Sequence, residues 1–263
     1  MRTALIALSA LAVALAATCG QTPIKPDLSH VNAKIIIAGM TDDSCELSCG
    51  ATVVAPGWVA TAGQCVWDDR NPKNYRLKAG VFDEAKSDED AEQVVGVKSV
   101  HIHPQYNFKN YAYDFALIEL DTPLKLGDHI QPVCLPSTDT VALKLPGSLW
   151  VTGWGTTSEE GQFSHQLKQA DVPLVDEDTC RKEYHLDLKE DVEFCAGKPG
   201  ADTCTGDEGG PIVARDKTGA WFQYGITSWG KGCGERTAGV YARVSAFCDF
   251  IDTTTNGVVK CQD

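Results

Sequence analysis

The sequence predicts an all-β protein made of antiparallel strands. Short runs rich in β-branched and aromatic residues recur along the chain from about residue 35, and Gly, Pro, Asn and Asp punctuate them. Only two stretches carry a helical pattern. Such a pattern fits a sandwich or barrels.

The chain opens with MRTALIALSALAVALAA: an early Arg, an apolar run, then small residues. That order is expected of a secretory signal peptide over residues 1–17; the apolar run is short for a membrane anchor. Residues 18–34, TCGQTPIKPDLSHVNAK, read as an extended leader, because Pro23 and Pro26 disfavour helix and sheet. The remaining 35–263 form the main domain.

Within it, ATVVAPGWVATA (51–62) is a pair of strands around a Pro56-Gly57 turn. EQVVGVKSVHI, FALIEL, SLWVTGW, PIVA, WFQYGITSW and AGVYARV are further strands. The helical candidates are DEDTCRKEY (176–184) and VSAFCDFIDTTT (244–255), the latter with apolar residues at 244, 247, 250 and 251. DEAKSDEDAE (83–92) is an acidic run read as a solvated loop.

Composition narrows the function. The net charge of −13 opposes binding to nucleic acid and to anionic membranes, and excludes partners better than it names one. Eleven cysteines in a chain expected to be secreted imply a disulfide framework with at least one left over. No CxxC pair supports zinc, and no N-x-S/T acceptor is present. No metal or other cofactor is expected: His101-x-His103 is a candidate metal pair that reads more simply as an ordinary strand end.

Seven motifs, VATAGQC (59–65), DFALIEL (114–120), LWVTGWG (149–155), FCAG (194–197), DTCTGDEGGP (202–211), SWGKGC (228–233) and GVYARV (239–244), occur in one order. Together they resemble the trypsin and chymotrypsin family of serine peptidases. The resemblance covers nearly all of the chain from Ile35. It implies two six-stranded antiparallel β-barrels side by side, a site in the cleft between them and a C-terminal helix.

That family's chemistry needs a hydroxyl nucleophile, an imidazole base and an orienting carboxylate. By resemblance, Gln64 stands where the base belongs and Glu208 where the nucleophile belongs; of the triad only Asp114 is kept. An amide does not accept and return a proton near neutral pH, and a carboxylate is a poor substitute for an activated hydroxyl. The expectation is an inactive peptidase homologue. Gly206 marks the oxyanion-hole position. A permanent anion at Glu208 invites two readings: Gln64 bridges Asp114 and Glu208, or Glu208 points to solvent.

The resemblance also marks Asp202, Gly230 and Gly239 as parts of a primary specificity pocket, either relic or working. Family precursors are cut before I-V-G-G, and the new terminus pairs with the Asp preceding the nucleophile. Lys34, Ile35 and Asp207 are the matching positions, with one residue too many before Gly39. Calcium in the acidic loop has no clean ligand pattern, with Val81 where an acid would be expected. The bridges implied are Cys19–Cys134, Cys49–Cys65, Cys180–Cys195 and Cys204–Cys233. One family bridge is missing at both ends, at Leu149 and Ala214. Cys248–Cys261 is expected as an extra clamp, leaving Cys45 unpaired or intermolecular.

The expected function is therefore that of a secreted, extracellular, non-catalytic homologue that binds another protein, as cofactor or inhibitor of a hydrolase or cascade component. The alternatives are a hydrolase using Asp114 and Glu208 as paired carboxylates, or a structural secreted protein linked through Cys45.

Overall fold

The computed structural model describes residue 19 and residues 32–37, 49–86, 91–139, 149–184, 188–234 and 238–263. The signal segment, most of the leader, Cys45 and residues 87–90 of the acidic run lie outside the described residues.

The N-terminal half is a closed barrel. Its strands are β1 (Asn32–Ile37), β2 (Cys49–Ala55), β3 (Trp58–Thr61), β4 (Tyr75–Ala79), β5 (Gln93–Ile102) and β6 (Ala116–Leu120), in the order β1-β2-β3-β6-β5-β4. The Pro56-Gly57 turn joins β2 to β3, which pair antiparallel with a register shift between Val53 and Ala55. Inside lie Val53, Val59, Leu77, Ile118 and Ile130, all fully buried or nearly so.

The C-terminal half is a six-stranded antiparallel sheet of β8 (Leu149–Gly153), β9 (Lys168–Val172), β10 (Glu193–Ala196), β11 (Pro211–Arg215), β12 (Trp221–Trp229) and β13 (Gly239–Arg243). Its order is β10-β13-β12-β11-β8-β9. The chain just past β9 reaches round to β10 through the Leu174–Ala196 bridge and the Val175 N–H to Cys195 O bond of 2.9 Å, which curls the sheet into a half-barrel. Phe194, Ile212 and Tyr241 fill it.

A third apolar cluster glues the halves together: Trp58 and Phe115 from the first, Val213 and Trp221 from the second, and Phe247 and Ile251 from the C-terminal segment. That segment is a 3₁₀ turn, Val244–Phe247, running into the helix α2 (Cys248–Thr254), whose Ile251 is fully buried. The other helix, α1 (Glu177–Tyr184), buries Cys180 and Tyr184. Beyond α2, β14 (Cys261–Gln262) pairs in parallel with β7 (Leu135–Pro136).

Five disulfides close on Cys19–Cys134, Cys49–Cys65, Cys180–Cys195, Cys204–Cys233 and Cys248–Cys261. His101 and His103 have different surroundings: Nε2 of His101 is 2.8 Å from Ser99 Oγ, whereas the His103 ring stacks on Tyr113 and meets Phe247 and Phe250 edge-on.

The expected leader boundary after Lys34 falls inside a strand. Lys34 and Ile35 sit inside β1, where Lys34 pairs with Gly50 on one side and Lys78 on the other, and Ile35 with Cys49 and Leu77. The apolar Ile35-Ile36-Ile37 run is a barrel strand, and a cut after Lys34 would sever that strand.

Candidate active-site cleft

Two structural units present the triad positions. Gln64 opens a single 3₁₀ turn, Gln64–Val66, fixed to β2 by the Cys49–Cys65 bridge. Asp114 precedes β6 and is fully buried. Its Oδ1 accepts the Gln64 N–H at 2.8 Å; its Oδ2 accepts Gln64 Nε2 at 2.6 Å and Ser228 Oγ at 2.5 Å. Burial pushes the Asp114 carboxyl up to about 6, and these hydrogen bonds oppose the rise.

Glu208 comes from the turn between Cys204 and β11. Gly206 and Gly209 have φ of 94° and 81°, where an L side chain is strained. At Gly209 a Cβ would also run into Gly50 O and Thr61 Oγ1 of the first barrel. The turn is stitched to both halves: Gly50 N–H donates to Glu208 O at 2.7 Å, and Gly209 N–H to Thr227 O at 2.9 Å.

The Glu208 side chain folds back over its own turn. Its Oε2 accepts the Gly206 N–H at 2.7 Å, and its own amide also bonds the carboxylate. Burial raises its carboxyl above the usual range, and the two amides hold it down in part. Both readings of Glu208 are thereby corrected. Gln64 does not bridge to it, because Nε2 is spent on Asp114 and on Ser228 O at 2.6 Å. Nor is the carboxylate turned to solvent, because the amides of Gly206 and Glu208 form an anion-binding concavity within its own reach.

Backbone amides hold Asp207. Its carboxylate accepts Gly155 N–H at 2.8 Å and Cys204 N–H at 3.0 Å. Burial pushes it up to about 6, and nearby Glu208 and Asp202 add to the rise. In the uncut chain Ile35 lies within β1, paired with Cys49 and Leu77, and is not beside Asp207 as a terminus.

Next to Glu208 a cavity of about 220 Å³ opens into the second half, lined among others by Asp202, Thr227, Trp229, Gly230 and Gly239. A Cβ at Gly230 would touch nothing closer than Gly239 Cα at 3.7 Å, so its wall stands clear. Asp202 accepts Thr203 N–H at 2.8 Å and Gly234 N–H at 3.2 Å, and burial pushes its carboxyl up to about 6. The three pocket positions named from the sequence therefore line one cavity, together with Glu208.

Two contributors escaped sequence reasoning. Ser228 shares Asp114 with Gln64, and its place in SWGKGC was the available signal. Glu193, buried on β10, accepts the Trp229 indole N–H at 3.2 Å and the Lys189 N–H at 2.6 Å. Burial raises it to about 7, and nothing in its local sequence announced that.

A family model described as Trypsin matches residues 22–251. Trypsin-1 of Astacus astacus is 38% identical over 208 residues, covering 77% of this chain and 86% of that protein. Serine proteinase stubble of Drosophila melanogaster is 37% identical over 211 residues, 77% of this chain and 26% of that protein. Ovochymase of Halocynthia roretzi is 35% identical over 257 residues, 90% of this chain and 16% of its own length. The chain thus spans about a quarter or less of these two larger relatives, and most of the shorter trypsin. With the closed barrel and the half-barrel, the cleft and these matches in agreement, the chain belongs to the trypsin family of serine peptidases.

Proposed function

We propose that this chain is a secreted, non-catalytic trypsin-family protein that works by binding another extracellular protein. The observation that carries the reading is the Glu208 carboxylate on the Gly206 N–H. Acyl transfer needs that donor free for a developing oxyanion, and a resident carboxylate both covers it and repels the incoming charge. Gln64 completes the case: its Nε2 is a donor to Asp114 and Ser228 O, and an amide carries no proton between nucleophile and leaving group. Paired-carboxylate chemistry finds no support, because Asp114 is buried with both oxygens bonded. Five disulfides favour an oxidising, extracellular setting.

The test is turnover. Purified protein incubated with Arg and Lys esters, peptides and glycans is expected to release no product above a blank. Ester hydrolysis at ordinary enzyme rates, lost on changing Glu208, would end this reading. Affinity capture from the native extracellular fluid then identifies the partner.

A further inference from the structure

The Ser228–Trp229 pair hangs between two buried carboxyls. The β12–β13 register shifts between Thr227 and Trp229, so Ser228 is the extra residue of a bulge, a feature that re-aims the side chains beside it. Its hydroxyl donates to Asp114 Oδ2 at 2.5 Å, and the Trp229 indole N–H donates to Glu193 Oε1 at 3.2 Å. Asp114 is fully buried ahead of β6 in the first half, and Glu193 is 2% exposed on β10 in the second. Trp229 and Gly230 form part of the wall of the cavity beside Glu208. One stretch of wall is thus anchored to a carboxyl in each half.

Glu193 has donors but no counter-cation. Its Oε2 accepts the Lys189 N–H at 2.6 Å, and no Lys or Arg side chain among the described residues lies within ion-pair distance of the carboxylate. Arg243, on β13, reaches only the Glu193 backbone carbonyl, at 2.9 Å, and pairs with Asp139. The Lys189 ammonium acts from a distance, and Asp114 contributes like charge. From α1, Tyr184 meets the Trp229 ring edge-on at 4.7 Å, with the Lys231 ammonium 5.2 Å from the Tyr184 ring. Burial is what raises the Glu193 carboxyl most, to about 7, and Asp114 adds to the rise. An ionised acceptor holds a donor roughly twice as strongly as a neutral one. A protonated carboxyl also carries an O–H that needs an acceptor of its own. Glu193 therefore grips the indole when charged and slackens when neutral.

We propose that Glu193 is a proton-operated latch on the cavity wall: its carboxylate holds the Trp229 indole beside Tyr184, and uptake of a proton releases it. The latch is closed above the folded value of about 7 and opens as pH falls through it. Because Ser228 hangs on Asp114 in the same way, the two carboxyls titrate as a coupled pair, and cleft and cavity respond together. The latch involves no turnover and stands independently of the non-catalytic reading.

Nuclear magnetic resonance on the isotope-labelled full chain tests this. Six tryptophans give six indole N–H resonances, and Trp229→Phe identifies the one that matters. On acidification that resonance is expected to shift with a midpoint near the value of about 7 for Glu193, while its Overhauser contact with the Tyr184 ring falls at least about twofold. Glu193→Gln abolishes the titration. Asp114→Asn lowers its midpoint, because a like charge is gone. Near-UV circular dichroism shows whether each variant keeps its fold. If Glu193→Gln does not fold, Trp229→Phe answers from the other side: without the indole donor, the midpoint of the Glu193 carboxyl resonance rises. A flat indole resonance, a titration that survives Glu193→Gln, an unchanged Tyr184 contact, or a carboxyl midpoint untouched by Trp229→Phe overturns the latch. An unmoved or raised midpoint in Asp114→Asn overturns the coupling of cleft to cavity.

Discussion

Gln64 grips Asp114 twice, through its backbone N–H at 2.8 Å and through Nε2 at 2.6 Å. The side chain at the base position is thus a structural clamp on the buried carboxylate. Replacing it with Ala leaves Asp114 Oδ2 short of a donor and Ser228 O without its partner. The expected cost is about 1–3 kcal/mol of stability by urea unfolding. Gln64→His should lose less, because an imidazole N–H still donates to Asp114.

Restoring chemistry requires both lost groups. Glu208→Ser uncovers the Gly206 N–H and supplies a hydroxyl, but with Gln64 in place nothing removes the proton. We expect that single variant to stay near background on an Arg ester. The Gln64→His, Glu208→Ser double variant should exceed either single change by about 10²-fold, the contribution of a positioned base. Equal rates for the Glu208→Ser single and the double variant would show that the base position is immaterial.

The legible and illegible parts divide on physical lines. The strands, the Pro56-Gly57 hairpin and the helix carrying Ile251 were readable because side-chain periodicity and turn chemistry are local. The closeness of Asp202, Gly230, Gly239 and Glu208 followed from motif order. What failed was register and direction. Ile35-Ile36-Ile37 looks alike as a cleaved terminus or as a barrel strand, and only the partners Cys49 and Leu77 distinguish the two. The direction of Glu208 was set by competition between the Gly206 amide and Gln64 Nε2, which no spacing in the sequence encodes.

Buried carboxyls set the pH response. Asp114, Asp202 and Asp207 are pushed up to about 6 and Glu193 to about 7, in each case chiefly by burial. Their folded pKa values exceed the unfolded ones, so the native state holds these protons more tightly. That contribution is complete below about pH 4 and is lost as pH rises through 6 and 7. Half-buried Asp69 and Asp83 and exposed Asp176 shift downward through hydrogen bonds and oppose the trend. Unfolding midpoints should therefore be higher at pH 5 than at pH 8. Glu193→Gln should narrow that gap by on the order of 2 kcal/mol. A midpoint that climbs from pH 5 to pH 8 would contradict the assignment.

The Cys248–Cys261 bridge closes a sequence separation of 13 residues and ties α2 to β14, which lies beside β7. In the chain-entropy account a loop of that size contributes about 3 kcal/mol. The Cys248→Ser, Cys261→Ser pair should lower the thermal midpoint by several degrees while leaving the Cys49–Cys65 and Cys204–Cys233 bridges intact by peptide mapping.

The Lys34–Ile35 bond provides the last expectation. Its residues pair with β2 on one edge and β4 on the other, so hydrolysis there would cut a strand hydrogen-bonded on both sides in a closed barrel. A protease needs an extended, detached segment, so reaching this bond requires opening the barrel, which costs a large share of the global stability. Hydrogen exchange is expected to be slow at the β1 amides. N-terminal sequencing of the mature protein should yield no chain beginning at Ile35. A folded population starting at Ile35, with Asp207 newly paired to its ammonium, would place β1 wrongly and restore a switch that the barrel pairing otherwise forbids.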